Sequence, residues 1–287
     1  MSEHLIEDLA EAKPVMEAFL GGLTPEVGLI LGSGLNPFAD SLRDARILPF
    51  GDVPHMGVSS ADGHRGQFVL GRVCEESKGE GDEEDAGTWV LCLQGRLHGY
   101  EGFTAQQVAF PVWLMAQLGI KTLITTNAAG AINAGFAVGD FCIMTDQINL
   151  TGRNPLAGMQ PNQMADRFVP MKDAFDPELV EIAYNVATDL NIPIQKGVYL
   201  GTLGPCFETP AEIRAFRVLG ADTVAMSVCE EVIAARHFDM RVLGISLCSN
   251  MACGVENANP SGDEVMDVAV GREVDFSRLI AGILQSI

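Results

Sequence analysis

Residues 88–127 read TWVLCLQGRLHGYEGFTAQQVAFPVWLMAQLGIKTLITTN. The first seven form a β-rich apolar run that ends at Gly95. A polar, glycine-rich turn follows. Thr104 and Gln107 then stand three apart, the spacing of a capping box, and apolar positions continue through Leu118. KTLITTN, 121–127, returns to strand character. Strand, polar turn, capped helix and strand make one α/β unit.

The same alternation runs outward in both directions. VGLIL (27–31) reads as a buried strand ending in Gly-Ser-Gly, and GQFVLGRV (66–73) as a partner for 88–94. Residues 4–20 read as a helix. Strands are expected at 139–150, 195–204, 223–227 and 241–250. Helices are expected from Asp176-Pro177 to about Leu190, after a second capping box at Thr209 and Glu212, and over 229–238. A third box, Ser261 with Glu264, opens the C-terminal helix. Residues 151–175 are polar, with proline and glycine, and read as a long functional loop. The segment at about 75–87, EESKGEGDEEDAG, reads as a solvated acidic insertion without chemical role. With no linker and no internal repeat, one α/β domain spans 1–287.

The formal net charge of −20 argues against a nucleic-acid partner, which needs a basic face. It also means that an anionic ligand requires close, directed donors. No run approaches the roughly 18 apolar residues of a membrane span. The acidic N-terminus lacks the pattern of a signal peptide. A soluble, cytoplasmic protein is expected. The seven cysteines show no CxxC spacing and mostly sit in apolar runs, as small buried hydrophobes do. The five histidines form no HExxH pair, so no metal site is expected.

Ligands of open α/β sheets bind at the carboxyl ends of strands. Those ends carry Gly32-Ser33-Gly34, Arg96 with His98, Asn127-Ala128-Ala129, Met226-Ser227 and Ser249-Asn250. LILGSGLNP suits an oxyanion through Ser33 and backbone N–H groups. Taken alone it reads equally as an ordinary tight turn. It is neither a P-loop nor a dinucleotide fingerprint. Arg96 and His98, two apart on an extended chain, would face one side and grip a phosphate with paired N–H donors. A surface arginine and a core histidine are the plain alternative, but the flanking glycines clear space around both. Ser33, the Ala128 N–H and Ser227 would complete a cage of neutral donors. His64, in ADGHRGQ, reads by itself as a turn histidine. Glu101 and Glu208 are candidate carboxylates. Glu208 also precedes a helix start, where negative charge is favourable in any case.

The blocks GSGL (32–35), GHRG (63–66), QGRLHGYEG (94–102), TNAAGAIN (126–133), GPCFET (204–209), AMS (225–227), EVIAARH (231–237) and SN (249–250) occur in that order. Together they closely resemble the trimeric purine nucleoside phosphorylases. The resemblance implies a mixed, partly barrel-like sheet flanked by helices and a homotrimer. It implies phosphorolysis of purine nucleosides, inosine and guanosine among them, to free base and α-(deoxy)ribose 1-phosphate. Inorganic phosphate is then a co-substrate, and no metal or organic cofactor is used. Carried over by position, Ser33, His64, Arg96, His98, Ala128 and Ser227 match the phosphate site. Glu101 matches a carboxylate that orients His98. Tyr100 and Met226 match ribose contacts. Phe207, Glu208 and Asn250, with Ser249 beside it, match the base site.

Two positions depart from the family. Gly262 stands where a histidine usually contacts the sugar 5′-hydroxyl. Met164 stands where a neighbouring subunit usually supplies a phenylalanine over the ribose. Rival readings are a xanthosine- or methylthioadenosine-preferring phosphorylase, a nucleoside hydrolase using Glu101 or Glu208, and a non-catalytic nucleoside binder. The methylthioadenosine enzymes usually carry aspartate at the position of Asn250.

Overall fold

The computed structural model describes residues 4–61, 63–73 and 87–287. The acidic segment, Gly87 apart, lies outside the described residues. In chain order the elements are α1 (Leu5–Leu20), β1 (Val27–Leu31), α2 (Pro37–Asp40), β2 (Arg43–Pro49), β3 (Gln67–Val73), β4 (Thr88–Gln94), α3 (Ala105–Gln117), β5 (Thr122–Ala131) and β6 (Phe141–Asn149). They continue with α4 (Pro161–Met164), α5 (Pro177–Asp189), β7 (Ile194–Gly201), α6 (Pro210–Leu219), β8 (Thr223–Ala225), α7 (Cys229–His237), β9 (Arg241–Met251) and α8 (Gly262–Leu284).

Local chemistry explains most boundaries. Thr104 and Gln107 bond reciprocally at the start of α3, and Thr209 and Glu212 at the start of α6, as the sequence predicts. The Asp176 carboxylate accepts from the N–H groups of Glu178 and Leu179 ahead of α5. At α8 only half of the expected box forms: Ser261 accepts from the Glu264 N–H, without the reciprocal bond. The edge strand β2, RDARILP, is largely exposed and charged, so no apolar alternation marks it in the sequence.

The sheet is mixed. Its order is β2-β3-β4-β1-β5-β8-β7-β6-β9, and β9 pairs back onto β5. The strands β5, β8, β7, β6 and β9 therefore close a ring, and β1, β4, β3 and β2 extend from it as an open wing. The partly barrel-like α/β sheet that the family resemblance implies is the observed one. The main core lies between the sheet and the helices around it, with Trp113, Phe68, Phe141 and Phe276 almost wholly buried.

β5 decides where a site can form. Its first half, Thr122–Thr125, pairs in parallel with β1. Its last residues, Gly130 and Ala131, pair antiparallel with β8. Between them β1 ends, and its chain turns away through Gly32 and Ser33. Such a change of neighbour opens a crevice at the strand ends. β5 also runs on past the expected end at Asn127, because its parallel ladder with β9 continues to Ala131.

Two glycines fix the turn that leaves β1. A Cβ on Gly32 would lie 2.7 Å from the Asn127 Cα and 2.8 Å from the Thr126 carbonyl. Gly34 has φ +74°, and a Cβ there would lie 2.3 Å from the Ala269 Cβ of α8. Gly34→Ala should combine left-handed strain with overpacking and cost about 2–4 kcal/mol of stability. Gly102 has φ +97° but open space around it. Gly102→Ala should cost only the strain, about 1–2 kcal/mol. Denaturant titration of both variants checks this; equal losses would show that α8 does not press on Gly34.

Candidate active site

A cavity of about 400 Å³ fills the crevice. It is lined by Ser33, Arg96, His98, Tyr100, Ala128, Met226 and Ser227, and by Phe207, Glu208, Ser249, Asn250 and Gly262. Of the residues singled out in the sequence, His64, Glu101 and Met164 do not line it. Glu101 stands directly behind His98.

β5 serves as its ruler. Arg96 bonds the Thr126 carbonyl, and the Asn250 amide lies beside Gly130. Four residues of extended chain span roughly 13 Å. The arginine and the asparagine therefore mark two ends of one elongated site.

At the first end Arg96 is 2 % exposed. β4 ends at Gln94, and Gly95 (φ +108°) turns the chain, so Arg96 and His98 follow the strand rather than extend it. The guanidinium fork does not face the cavity as the sequence reading supposes. Its Nε donates to Glu231 Oε1 at 2.8 Å and its Nη2 to Glu231 Oε2 at 3.0 Å. Nη2 also donates to Thr125 Oγ1 at 2.8 Å, and Nη1 to the Thr126 carbonyl at 2.6 Å. Four of the five N–H groups are thus committed, and one on Nη1 is left for a ligand. The Thr125 hydroxyl completes the cluster by donating to Glu231 at 2.6 Å.

His98 is held from behind. Its Nδ1 lies 2.8 Å from Glu101 Oε1, which also accepts the His98 backbone N–H at 2.9 Å. The other Glu101 oxygen accepts from the Ser60 N–H at 2.5 Å and from both neighbouring serine hydroxyls, at 3.1 Å from Ser59 and 3.0 Å from Ser60. Burial alone would raise the Glu101 pKa; the bonds from Ser60 and His98 outweigh it and leave it below the usual carboxylate value. Burial, then the Arg96 charge, pushes His98 down to about 3. The imidazole is neutral, donates from Nδ1 to Glu101 and keeps a lone pair on Nε2. The Tyr100 ring stacks on it with centroids 4.5 Å apart. Burial raises the Tyr100 phenol to about 12, so it stays a protonated donor.

His64 stands behind Ser33, with its Nε2 3.2 Å from the Ser33 Oγ. Ser227 closes the opposite wall. The Tyr199 hydroxyl donates to the Ser227 carbonyl at 2.7 Å and accepts its N–H at 3.2 Å. This clamp precedes Val228, whose φ of +70° is a strained conformation for a β-branched residue.

At the far end the amide of Asn250 is fixed. Its Oδ1 accepts from the Ser249 hydroxyl and its Nδ2 donates to the Met251 carbonyl, both at 2.9 Å. One Nδ2 hydrogen remains for a ligand. Glu208 Oε1 accepts from the Thr202 hydroxyl at 2.9 Å, leaving the second oxygen open. Phe207 is half exposed beside it.

Gly262 is the first residue of α8 and itself has no side chain to offer a 5′-hydroxyl, while Asp263 beside it also lines the cavity. Met164 lies in α4, packed against the main core of its own chain. Cys92, Cys142, Cys229 and Cys248 are buried as expected; Cys206 is exposed, and Cys253 lines the cavity. Among the described residues no group of three His, Cys, Asp or Glu side chains is placed to hold a metal ion. No helix among them is long and apolar enough to cross a membrane.

Sequence reasoning missed Glu231, Ser59, Ser60, Thr202 and Tyr199. For Glu231 a signal exists: an acid set among the apolar residues of VCEEVIAA. Nothing in sequence ties Ser59 or Thr202 to the carboxylates they meet.

The Phosphorylase superfamily matches residues 26–285. Purine nucleoside phosphorylase 1 of Bacillus subtilis is 45 % identical over 261 residues, 91 % of this chain and 92 % of its own. The Mus musculus purine nucleoside phosphorylase is 36 % identical, covering 92 % of this chain and 89 % of its own. The fold matches a Schistosoma mansoni purine nucleoside phosphorylase solved in complex with inosine, with a TM-score of 0.88 and 32 % identity over 98 % of this chain and 97 % of that one. With a family match over nearly its whole length and relatives this similar, the chain belongs to the purine nucleoside phosphorylase family of the Phosphorylase superfamily.

Proposed function

We propose that the cavity carries out phosphorolysis of 6-oxopurine ribo- and 2′-deoxyribonucleosides. Phosphate occupies the Arg96 end and the purine the Asn250 end. A phosphate oxygen bonds to C1′ while the C1′–N9 bond breaks, and the base leaves with the bonding electrons. The observation that carries this reading is the pairing of two chemistries along β5. One end offers neutral donors and a single free arginine N–H. The other offers a carboxylate and an amide held in fixed orientation. Tyr100 and Met226 also line the cavity and would meet the sugar.

Each group has a task. Ser33, Ser227, the Ala128 N–H and the free Arg96 N–H hold phosphate. The neutral His98 accepts a hydrogen bond at Nε2 from the protonated oxygen of the phosphate dianion, and Glu101 keeps the ring oriented. The developing sugar cation lies against the phosphate dianion. Asn250 donates to N7 as charge builds on the departing base, and Glu208 accepts from N1–H. A fixed donor of this kind is worth on the order of 3 kcal/mol in the transition state. Phosphate is consumed as co-substrate, and the scheme uses no metal or organic cofactor. The same reading takes the enzyme as a homotrimer. The half-exposed Leu150 and Leu203 and the largely exposed Phe168 support a face that a second subunit covers.

Hydrolysis fits less well. Both Glu101 oxygens are occupied, and its lowered pKa makes it a poor base for activating water. Inosine consumption with and without phosphate separates the two. The expected result is turnover that requires phosphate and yields one equivalent of ribose 1-phosphate. Free ribose released at an unchanged rate without phosphate would establish a hydrolase.

Base choice follows from the same groups. Adenine presents a lone pair at N1 to the Glu208 carboxylate, a buried mismatch worth about 1–3 kcal/mol. The Schistosoma mansoni enzyme has been solved in complex with adenosine as well as with inosine, so turnover rather than occupancy is the readout. Inosine should exceed adenosine in kcat/KM. Asn250→Asp should move the ratio toward adenosine by about tenfold, because a carboxyl group can accept from the 6-amino group. An unchanged ratio would mean that Asn250 does not read the 6-position.

A further inference from the structure

Glu230 and Glu231 are consecutive residues of α7, and both are buried, at 4 % and 2 % exposure. Each has an arginine of its own. Glu231 takes Arg96. Glu230 Oε1 lies 3.2 Å from the Nε of Arg153, in the loop after β6. Burial, the largest influence, raises the Glu230 carboxyl above its usual value; its own N–H and the Arg153 charge oppose this, and Glu231 adds to it.

Arg153 is fixed in both backbone and side chain. Its N–H donates to Thr151 Oγ1 at 3.1 Å, and its carbonyl accepts from the Nδ2 of Asn149, the last residue of β6, at 3.0 Å. Its Nη2 donates to the Phe103 carbonyl at 2.8 Å. The guanidinium lies against Gly99. A Cβ there would collide with Nη1 and lie 2.7 Å from both the Arg153 Cζ and the Leu203 Cδ1. Gly99 is not among the residues of positive φ, so this glycine makes room rather than a turn. It opens the 3₁₀ turn Gly99–Glu101. Arg153 thus braces that turn at its first residue and again at Phe103, two residues beyond its end. Glu101 has further anchors in Ser59 and Ser60. The Tyr100 side chain stacks on His98 and makes no hydrogen bond among the described residues.

We infer that Arg153, with Glu230 as its fixed counter-ion, is a positioning residue for Tyr100: by packing against Gly99 it sets the tyrosine ring at the sugar part of the cavity. The two acids of α7 then share the work. Through Arg96 one holds the phosphate end, and through Arg153 the other holds the sugar contact. The inference rests on the phosphorolysis reading for what Tyr100 meets.

Two experiments test it on the full-length protein. Removing one partner alone would leave a buried charge unpaired and endanger the fold, so both are changed together. Arg153→Gln with Glu230→Gln carries no charge, and glutamine lacks the reach to brace Gly99 and Phe103 at once. In the first experiment tyrosine is replaced by 3-fluorotyrosine, and the Tyr100 signal, one of three, is identified by its loss in Tyr100→Phe. In ¹⁹F spectra without ligand the Tyr100 signal of the paired variant should move toward that of the unfolded chain, while Tyr184 and Tyr199 move little. An unmoved Tyr100 signal would overturn the inference, whatever reaction the cavity performs. Equal movement of all three would overturn it too, because the pair would then support the fold at large. The second experiment is kinetic. In the paired variant the KM for inosine should rise about tenfold and the KM for phosphate less than about threefold. Adding the pair of substitutions to Tyr100→Ala should leave the KM for inosine at the value of Tyr100→Ala alone. A further tenfold rise there would mean that the pair acts independently of Tyr100, and an equal rise for both substrates in the paired variant would mean that it serves the whole corner; either contradicts the inference. A wild type without phosphorolysis would refute the reading of the reaction and leave the spectrum to decide on Arg153.

Discussion

The buried pair of Arg96 and Glu231 is the interaction on which the site depends. Taking both charges out of water is costly, and their attraction alone does not make such a pair a stabilising device. What it does here is fix geometry. The pair ties the turn after β4 to α7, and through Thr125 and the Thr126 carbonyl it ties both to β5. Three separate parts of the chain thereby share one rigid corner. Ser227, two residues before α7, and Ala128, two residues beyond Thr126, inherit their positions from it.

The same pair answers an electrostatic difficulty. A chain of net charge −20 repels anions at long range. A free arginine would offset this but would also hold phosphate tightly without regard to the transition state. With Glu231 as permanent counter-ion, Arg96 contributes one directed N–H instead of a bare charge. The surrounding donors are neutral, and His98 is uncharged. On the proposed reading the cavity holds an anion by oriented hydrogen bonds at short range. Such preorganised dipoles need no rearrangement as charge moves from phosphate toward the base.

Much of this was legible in the sequence. The capped helix after QGRLHGYEG and the strands around it announced an α/β fold, and the glycine-flanked strand ends located the cavity. Ser33, Arg96, His98, Ser227 and Asn250 were each visible as polar residues at such ends. The direction of the Arg96 fork was not visible, because its partner lies 135 positions away. β2 escaped notice because an exposed edge strand has no buried face to pattern. In general, what the sequence withheld is pairing: it shows which groups are present, while the register of β5 and the placement of α7 determine which of them meet.

The central claim is that Glu231 holds the Arg96 charge in place and leaves it able to serve an anion. The most direct measurement is the thermal unfolding of wild type and Glu231→Gln, each with and without inorganic phosphate. Without phosphate the variant should lose about 3–5 kcal/mol, because a buried arginine is left without its counter-ion. Phosphate should then stabilise the variant more than the wild type, since the bound dianion replaces the missing charge. A variant as stable as wild type, or an equal phosphate effect in both proteins, would contradict the account.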